Sequence, residues 1–265
     1  MGRRNIKHFC FLTDFGTKDP YVAEMKGKIY SAIPDAKITD LSHEIESQNI
    51  FQGAFFLDAM WDYWEIPSIH IAVVDPGVGT NREILVIKDE QKYLICPNNG
   101  LATFILFRSR VKVRKLNLSR IKSISKISNT FHGRDIMVPA GIEIAKGRNW
   151  LEITDEIVQP ILLKYPKPIV KRNTIIGEII YFDKFGNGIT NISLVTIGNN
   201  KISKVEVEGK RKNSLPFVRT YGEVKQGASL SLFGSTNRLE IAINCGSARE
   251  KLNLKVGNRV KVYLG

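Results

Sequence analysis

The sequence predicts an N-terminal α/β domain with a largely parallel central sheet, followed by a small all-β, barrel-like domain. Three observations carry that prediction. Apolar strand-like runs alternate with helix-period segments through residues 1–160. Several of those runs stop abruptly in polar, glycine-containing loops. From Ile175 onward, short strands follow one another at turn spacing with no helical period between them. The stretch LLKYPKPIVKRNT has two prolines among charges and reads as a connector, so the domains are drawn at 1–160 and 175–265 with a linker over 161–174.

The first strand is HFCFLTDFG, His8 to Gly16, apolar until Thr13-Asp14-Phe15-Gly16. Asp19-Pro20 opens a helix in which Val22, Met25, Ile29 and Ile33 share one face, and Pro34-Asp35 closes it. AKITDLSHEI supplies a strand and a polar loop, with His43 near the strand's end read as a structural histidine. The run NIFQGAFFLDAMWDYWEI has helical spacing, and its aromatics read as core. Next comes SIHIAVVDPGVGTNRE, a buried strand cut off at Asp75-Pro76-Gly77-Val78-Gly79, where proline and glycine forbid its continuation and let backbone approach a ligand. Asp75 thus stands at a strand's carboxyl end with Arg82 just beyond, the edge at which open α/β sheets bind ligands. Read purely structurally, the same residues are a tight turn with a surface ion pair.

EILVIKD and KYLICPNNG are short strands around an Asp89-Glu90-Gln91 turn, followed by an apolar helix from Leu101. VKVRKLNLS alternates as a strand, and SRIKSISKISNT is a polar connector. His132-Gly133-Arg134-Asp135 then precedes a helix over roughly 136–145. A histidine there suits chemistry on an anion, because helix-end amides favour negative charge; as structure alone, Asp135 is a helix-start acid and His132 a loop residue. The C-terminal strands are GEIIYFDKFGN, GITNISL, KVEVEG, LPFVRTYGEV, SLSLFGS, LEIAIN and NRVKVYLG.

Composition narrows the function classes. The three cysteines, Cys10, Cys96 and Cys245, are widely spaced and contain no CxxC pair, which points away from a disulfide framework or zinc site and toward a cytoplasmic protein. Met1 to Lys7 is basic like the start of a signal peptide, but Thr13, Asp14 and Gly16 interrupt the apolar run behind it. No stretch approaches the about eighteen apolar residues that a membrane span needs. The net charge of +13 raises the prior for nucleic acid. Its basic residues are nevertheless spread along the chain, and the densest cluster, Lys210-Arg211-Lys212, reads as a hairpin tip, so nucleic acid is not the expected partner.

Taken in order, TDFGTKDPYVAEMKG, SHEIESQNIFQGA, VVDPGVGTNR, NNG, FHGRDIMVPA, FDKFGNGITNI and LEIAINCGSA resemble the S-adenosyl-L-methionine (SAM) hydrolases that form adenosine and methionine, the SAM hydroxide adenosyltransferase family. The resemblance spans both domains. It implies a metal-free enzyme that uses SAM as substrate with no cofactor, and a homotrimer holding SAM between one subunit's N-terminal domain and its neighbour's C-terminal domain. It further implies that Asp14 holds the ribose hydroxyls, that Asp75, Arg82 and His132 position water, that Asp183 meets the methionine end and Asn187 the adenine edge, and that Ser235 and the backbone at Cys245 complete these pockets. On that reading Arg82 orients the oxygen and favours hydroxide character while Asp75 and His132 accept or relay the proton, and the sequence does not say which of the set takes it.

The related SAM-dependent fluorinases and chlorinases supply the alternative activity. At the positions of Asp75, Val78, His132 and Gly133 the fluorinase pattern has tyrosine, threonine, tyrosine and serine, and where it has a tryptophan this chain has Gln48. A carboxylate beside a halide repels it, so Asp75 favours a water nucleophile. A basic nucleic-acid-binding module with a nucleoside pocket is a further alternative, which leaves the Asp75, Arg82 and His132 set without a purpose. Cys245 departs from the glycine or alanine common in the family, a change expected to narrow the adenine pocket without altering the chemistry.

Overall fold

A computed structural model describes residues 5–124, 126–157, 159–209 and 212–265. The basic start of the chain, part of the connector at Ser125, and Lys210 and Arg211 of the expected hairpin tip lie outside the described residues. The chain forms two compact units, Met1–Lys164 and Tyr165–Gly265.

In the first unit, the strands are β1 (His8–Thr13), β2 (Lys37–Ser42), β3 (Ser68–Val73), β4 (Ile84–Asp89), β5 (Lys92–Pro97), β6 (Lys112–Leu116) and β7 (Thr154–Asp155). They make one sheet in the order β2-β1-β3-β5-β4-β6-β7. The pairs β1 with β2, β1 with β3 and β3 with β5 are parallel, whereas β4, β6 and β7 are added antiparallel. Helical crossovers over Tyr21–Ala32 and Ile50–Trp61 set the parallel pairs of β1 with β2 and β3, while β5 reaches its place beside β3 by way of β4. The tight turn at Asp89-Glu90-Gln91, with Glu90 in the left-handed region at φ 54°, makes β4 and β5 antiparallel.

Strand β3 is buried along its whole length, which is why it reads as a continuous apolar run. Its residues alternate between two cores. Ile69, Ile71 and Val73, with Phe9 and Phe11 of β1, pack under helices α1 (Tyr21–Ala32) and a later helix over Val138–Ala145. Ala72 and Val74, with Leu12, pack under α2 (Ile50–Trp61) and the one-turn α3 (Thr103–Leu106), so the Val138–Ala145 helix is α4. The outcome is a three-layer α/β/α sandwich.

The second unit carries β8 (Ile169–Lys171), β9 (Thr174–Phe182), β10 (Gly188–Ser193), β11 (Ile202–Glu208), β12 (Lys212–Leu215), β13 (Ser229–Phe233), β14 (Arg238–Ile243) and β15 (Arg259–Leu264). All ladder pairings are antiparallel, in the order β12-β11-β15-β9-β10-β14-β13, with β8 on β9. A bridge from Phe217 to Ser231 brings the β12 end toward β13 and nearly closes the barrel around Ile175, Ile179, Val205, Leu239 and Val262. The expected strand LPFVRTYGEV is a correction. Its ladder ends at Leu215, before Pro216, which cannot donate, and Thr220 with Glu223 forms a capping box on a 3₁₀ turn at Tyr221–Glu223. Within 161–174, Ile161 and Leu163 donate backbone N–H groups to Asn98 Oδ1 and Thr103 Oγ1 of the first unit, while Ile169–Lys171 already belongs to the barrel sheet.

Candidate active site

The first unit opens a cavity of about 390 Å³ at the carboxyl ends of β1 and β3, lined by Asp14, Gln48, Asp75, Val78, Phe131 and His132 among others. Asp75 follows directly on the β3 run. Asn99 Nδ2 donates to the carbonyl of Val74 at 2.8 Å, and the Val78 N–H donates to the carbonyl of Asp75 at 3.2 Å, so the backbone on both sides of the carboxylate is tied down. Gly79 lies at φ +82°, and a Cβ there would stand 2.4 Å from the carbonyl oxygen of Asn129. Only glycine fits that approach.

Arg82 lies across this turn as a fork. Its Nε donates to Asp75 Oδ1 at 2.6 Å, its Nη2 donates to Asp75 Oδ2, and the same Nη2 is 3.2 Å from His132 Nδ1. The side chains of Asp75 and Arg82 are only 3% and 8% exposed, so the pair is charge-neutralised in place rather than solvated. Arg82 Nη1 is buried without a hydrogen-bond partner among the described residues. Arg82 is not among the cavity-lining residues; it stands behind Asp75.

His132 heads a π-helical turn over Gly133–Met137 that runs into α4. Such turns carry one extra residue and recur at functional sites. Asp135 secures this one: its carboxylate accepts from Arg134 at 2.7 and 2.8 Å and from the Ser128 N–H at 2.9 Å, and these partners, Arg134 first, hold it well below the usual carboxylate range. Burial, and then the positive charge of Arg82, push the His132 imidazole below its ordinary value. The neutral ring accepts from Arg82 at Nδ1, which leaves its proton on Nε2.

Asp14 sits in the same cavity, half-buried, and its Oδ2 accepts from the Gln48 N–H at 2.8 Å. Gln48 itself is in the left-handed region at φ 66°. Phe15, Tyr21 and Phe131 form an edge-to-face triangle along one wall, with centroids 5.4 to 5.7 Å apart. The sequence reading missed the three aromatics, because one aromatic per segment carries no local signal.

A separate cavity of about 850 Å³ belongs to the second unit, and Asp183, Asn187, Ser235 and Cys245 all line it. Asp183 is engaged by its own turn: Oδ1 accepts from the Phe185 and Asn187 N–H groups at 2.9 and 2.8 Å, and Oδ2 from Asn187 Nδ2 at 2.9 Å. One of the two Asn187 Nδ2 hydrogens is therefore already used. Gly186, at φ +83°, allows the turn to approach Ser247. Tyr221 and Glu240 also line the cavity and were not foreseen; Tyr221 Oη donates to Glu240 Oε2 at 2.7 Å. Burial, with the charge of Asp183, raises the Glu240 carboxyl above its ordinary value. Cys245 is exposed at φ 56°. Among the described residues, no group of three or more His, Cys, Asp or Glu could hold a metal ion, and no helix is long and apolar enough to cross a membrane.

The chain is similar to known proteins along most of its length. The SAM hydroxide adenosyltransferase N-terminal domain pattern matches residues 9–154, and the corresponding C-terminal domain pattern matches 177–261. An (R)-S-adenosyl-L-methionine hydrolase of Thermus thermophilus is 34% identical over 95% of this chain and 98% of its own. A fluorinase of Nocardia brasiliensis is 22% identical over 100% of this chain and 98% of its own. A crystal structure of an uncharacterized conserved protein from Thermotoga maritima superposes with a TM-score of 0.87 at 30% identity, covering 96% of this chain and 99% of that one.

Proposed function

The chain belongs to the SAM hydroxide adenosyltransferase family, and we propose that its reaction, hydrolysis of SAM to adenosine and methionine, runs through the fork that Arg82 makes with Asp75 and His132. That fork carries the reading: a buried carboxylate and a neutral imidazole, fixed by one guanidinium, at the wall of a cavity that also presents Asp14.

SAM carries a sulfonium, which departs as a neutral thioether without being protonated, so neither an acid nor a Lewis acid is required at the leaving group. The work lies at the oxygen. Water attacks C5′, the C5′–S bond breaks with its electron pair going to sulfur, and one water proton must leave. Asp75 is the acceptor in this scheme, because both of its oxygens keep a lone pair beyond those engaged by Arg82. His132 has its acceptor nitrogen occupied by Arg82 and offers Nε2–H, a donor that holds the oxygen in line. Arg82 is then a positioning residue that sets both groups, with Nη1 as its remaining donor. Orientation of this kind contributes several kcal/mol, and general-base assistance about a hundredfold or more. Halide transfer is disfavoured, since Asp75 lines the cavity while its neutralising partner Arg82 does not, so the carboxylate is the charge an entering halide meets first.

Asp14, with one oxygen on the Gln48 amide, takes the ribose hydroxyls. Asp183, Asn187, Ser235 and Cys245 belong to the methionine and adenine pockets, with two of Asn187's groups spent on shaping Asp183. The assembly we propose is a homotrimer in which neighbouring subunits complete each site. Reaction with SAM in oxygen-18 water tests the chemistry: the label should enter the 5′-hydroxyl of adenosine, with no 5′-halo product when fluoride or chloride is added. Unlabelled adenosine would sink the water-attack scheme.

A further inference from the structure

We propose that His43 is a positioning residue that, through Thr13, sets Asp14 for the ribose of the substrate. The inference rests on the role given to Asp14 above. His43 follows β2 and is only 4% exposed, and the water-attack scheme gives it no part. Its Nδ1 shares a 2.8 Å hydrogen bond with Thr13 Oγ1, at the end of β1. Its Nε2 lies 3.0 Å from Asp40 Oδ1, and Asp40 is in turn 2.6 Å from Lys26 Nζ. The Asp40 oxygen is not aligned as a hydrogen-bond acceptor, so its carboxylate acts on the Nε2–H of the ring by its field rather than through a formed bond. A carboxylate at that distance still keeps the ring proton on Nε2, which makes Nδ1 the acceptor and obliges the Thr13 hydroxyl to donate to it.

The direction of that hydroxyl decides what the loop does. With its hydrogen committed to His43, Thr13 Oγ1 presents its lone pairs to the Phe15 N–H, 3.2 Å away. The carbonyl of His43 also accepts from the Gly16 N–H at 2.8 Å. Asp14 is therefore carried between residues that one histidine holds by both side chain and backbone. On the far side, its Oδ2 accepts a hydrogen bond from the Gln48 N–H, which leaves Oδ1 for a diol. Thr13 is fully buried, so its hydroxyl cannot attack a substrate; without His43 it would be a buried donor with no acceptor.

Binding of adenosine and of 2′,3′-dideoxyadenosine by calorimetry, with SAM kinetics, tests this on wild type, Asp14→Asn, His43→Leu and His43→Asn. His43→Leu should weaken adenosine and raise KM for SAM about tenfold, while kcat stays within about threefold. Dideoxyadenosine binding should not change, because it has no hydroxyls for Asp14 to hold. His43→Asn, which can offer an acceptor near the Nδ1 position, should recover most of the loss. If His43→Leu weakens both nucleosides alike, or lowers kcat with KM unchanged, the histidine only supports the fold and the proposal is overturned. If Asp14→Asn itself fails to discriminate the two nucleosides, the role of Asp14 falls first, which is a separable result. Should His43→Leu not fold, Asp40→Asn leaves the ring in place; a loss of about threefold confined to adenosine supports the relay, and no loss overturns it.

Discussion

Asp75 and Arg82 are bonded twice while almost wholly buried, so removing either leaves the other a buried charge without its partner. Alanine at either position confounds chemistry with a stability loss of about 3–5 kcal/mol. Asp75→Asn keeps the shape and removes the base, and it should lower kcat about a hundredfold or more with KM for SAM changed only severalfold, as read from steady-state kinetics. Asp14→Ala should show the reverse, a raised KM and weakened adenosine binding with kcat largely kept. The imidazole of His132 adds a pH signature. Its folded value lies below the ordinary 6.5 because of burial and then Arg82, so the neutral donor form persists into more acidic solution than a free histidine allows. The acidic limb of kcat/KM should therefore fall below pH 6.5, and a limb centred at 6.5 would contradict the environment described for the ring. Linkage has the same sign for stability: protonation is harder in the folded state, so the His132 contribution is present above pH 6.5 and is lost as pH falls through its lowered value.

The turn after β3 shows how backbone geometry places these groups. Gly79→Ala would drive a Cβ to within 2.4 Å of the Asn129 carbonyl at φ +82°, whereas at Gly77 a Cβ would meet nothing nearer than 3.7 Å. Gly79→Ala should cost about 1–3 kcal/mol by thermal unfolding and lower kcat, with Gly77→Ala close to wild type. Much of this was legible in the sequence. A β-branched run cut by Asp75-Pro76-Gly77 can only be a strand end, and the polar break after Leu12 has the same form, so two carboxylates at strand ends follow from pattern alone. The helix from Ile136 was legible by its apolar run, but the π turn ahead of it was not, because one extra residue in a turn leaves no compositional trace. The 3₁₀ turn at Tyr221–Glu223 was readable from Thr220 and Glu223 and was hidden by the surrounding strand-forming residues. Tyr221 and Glu240 meet only through the barrel, across a separation that local patterns do not encode.

For the molecule as a whole, the Asp75 set and the Asp183 set line cavities belonging to different compact units. In a ring of identical subunits with heterologous interfaces, neighbouring chains can each supply one half of a site. Asp75→Asn and Asn187→Ala chains, each nearly inactive, should then regain activity when mixed equally, unfolded and refolded together. Random assembly leaves about one site in four with both halves intact. Activity near a quarter of wild type supports shared sites, and no recovery from fully reassembled protein rules them out. The three cysteines divide in an unrelated way. Cys10 and Cys96 are buried and burial raises both thiols, that of Cys10 to about 12, while Cys245 is exposed on the rim of the second cavity. A thiolate-seeking alkylating dye therefore meets one receptive sulfur per chain, next to a ligand pocket, which gives the native protein a built-in attachment point for a fluorescent reporter of occupancy.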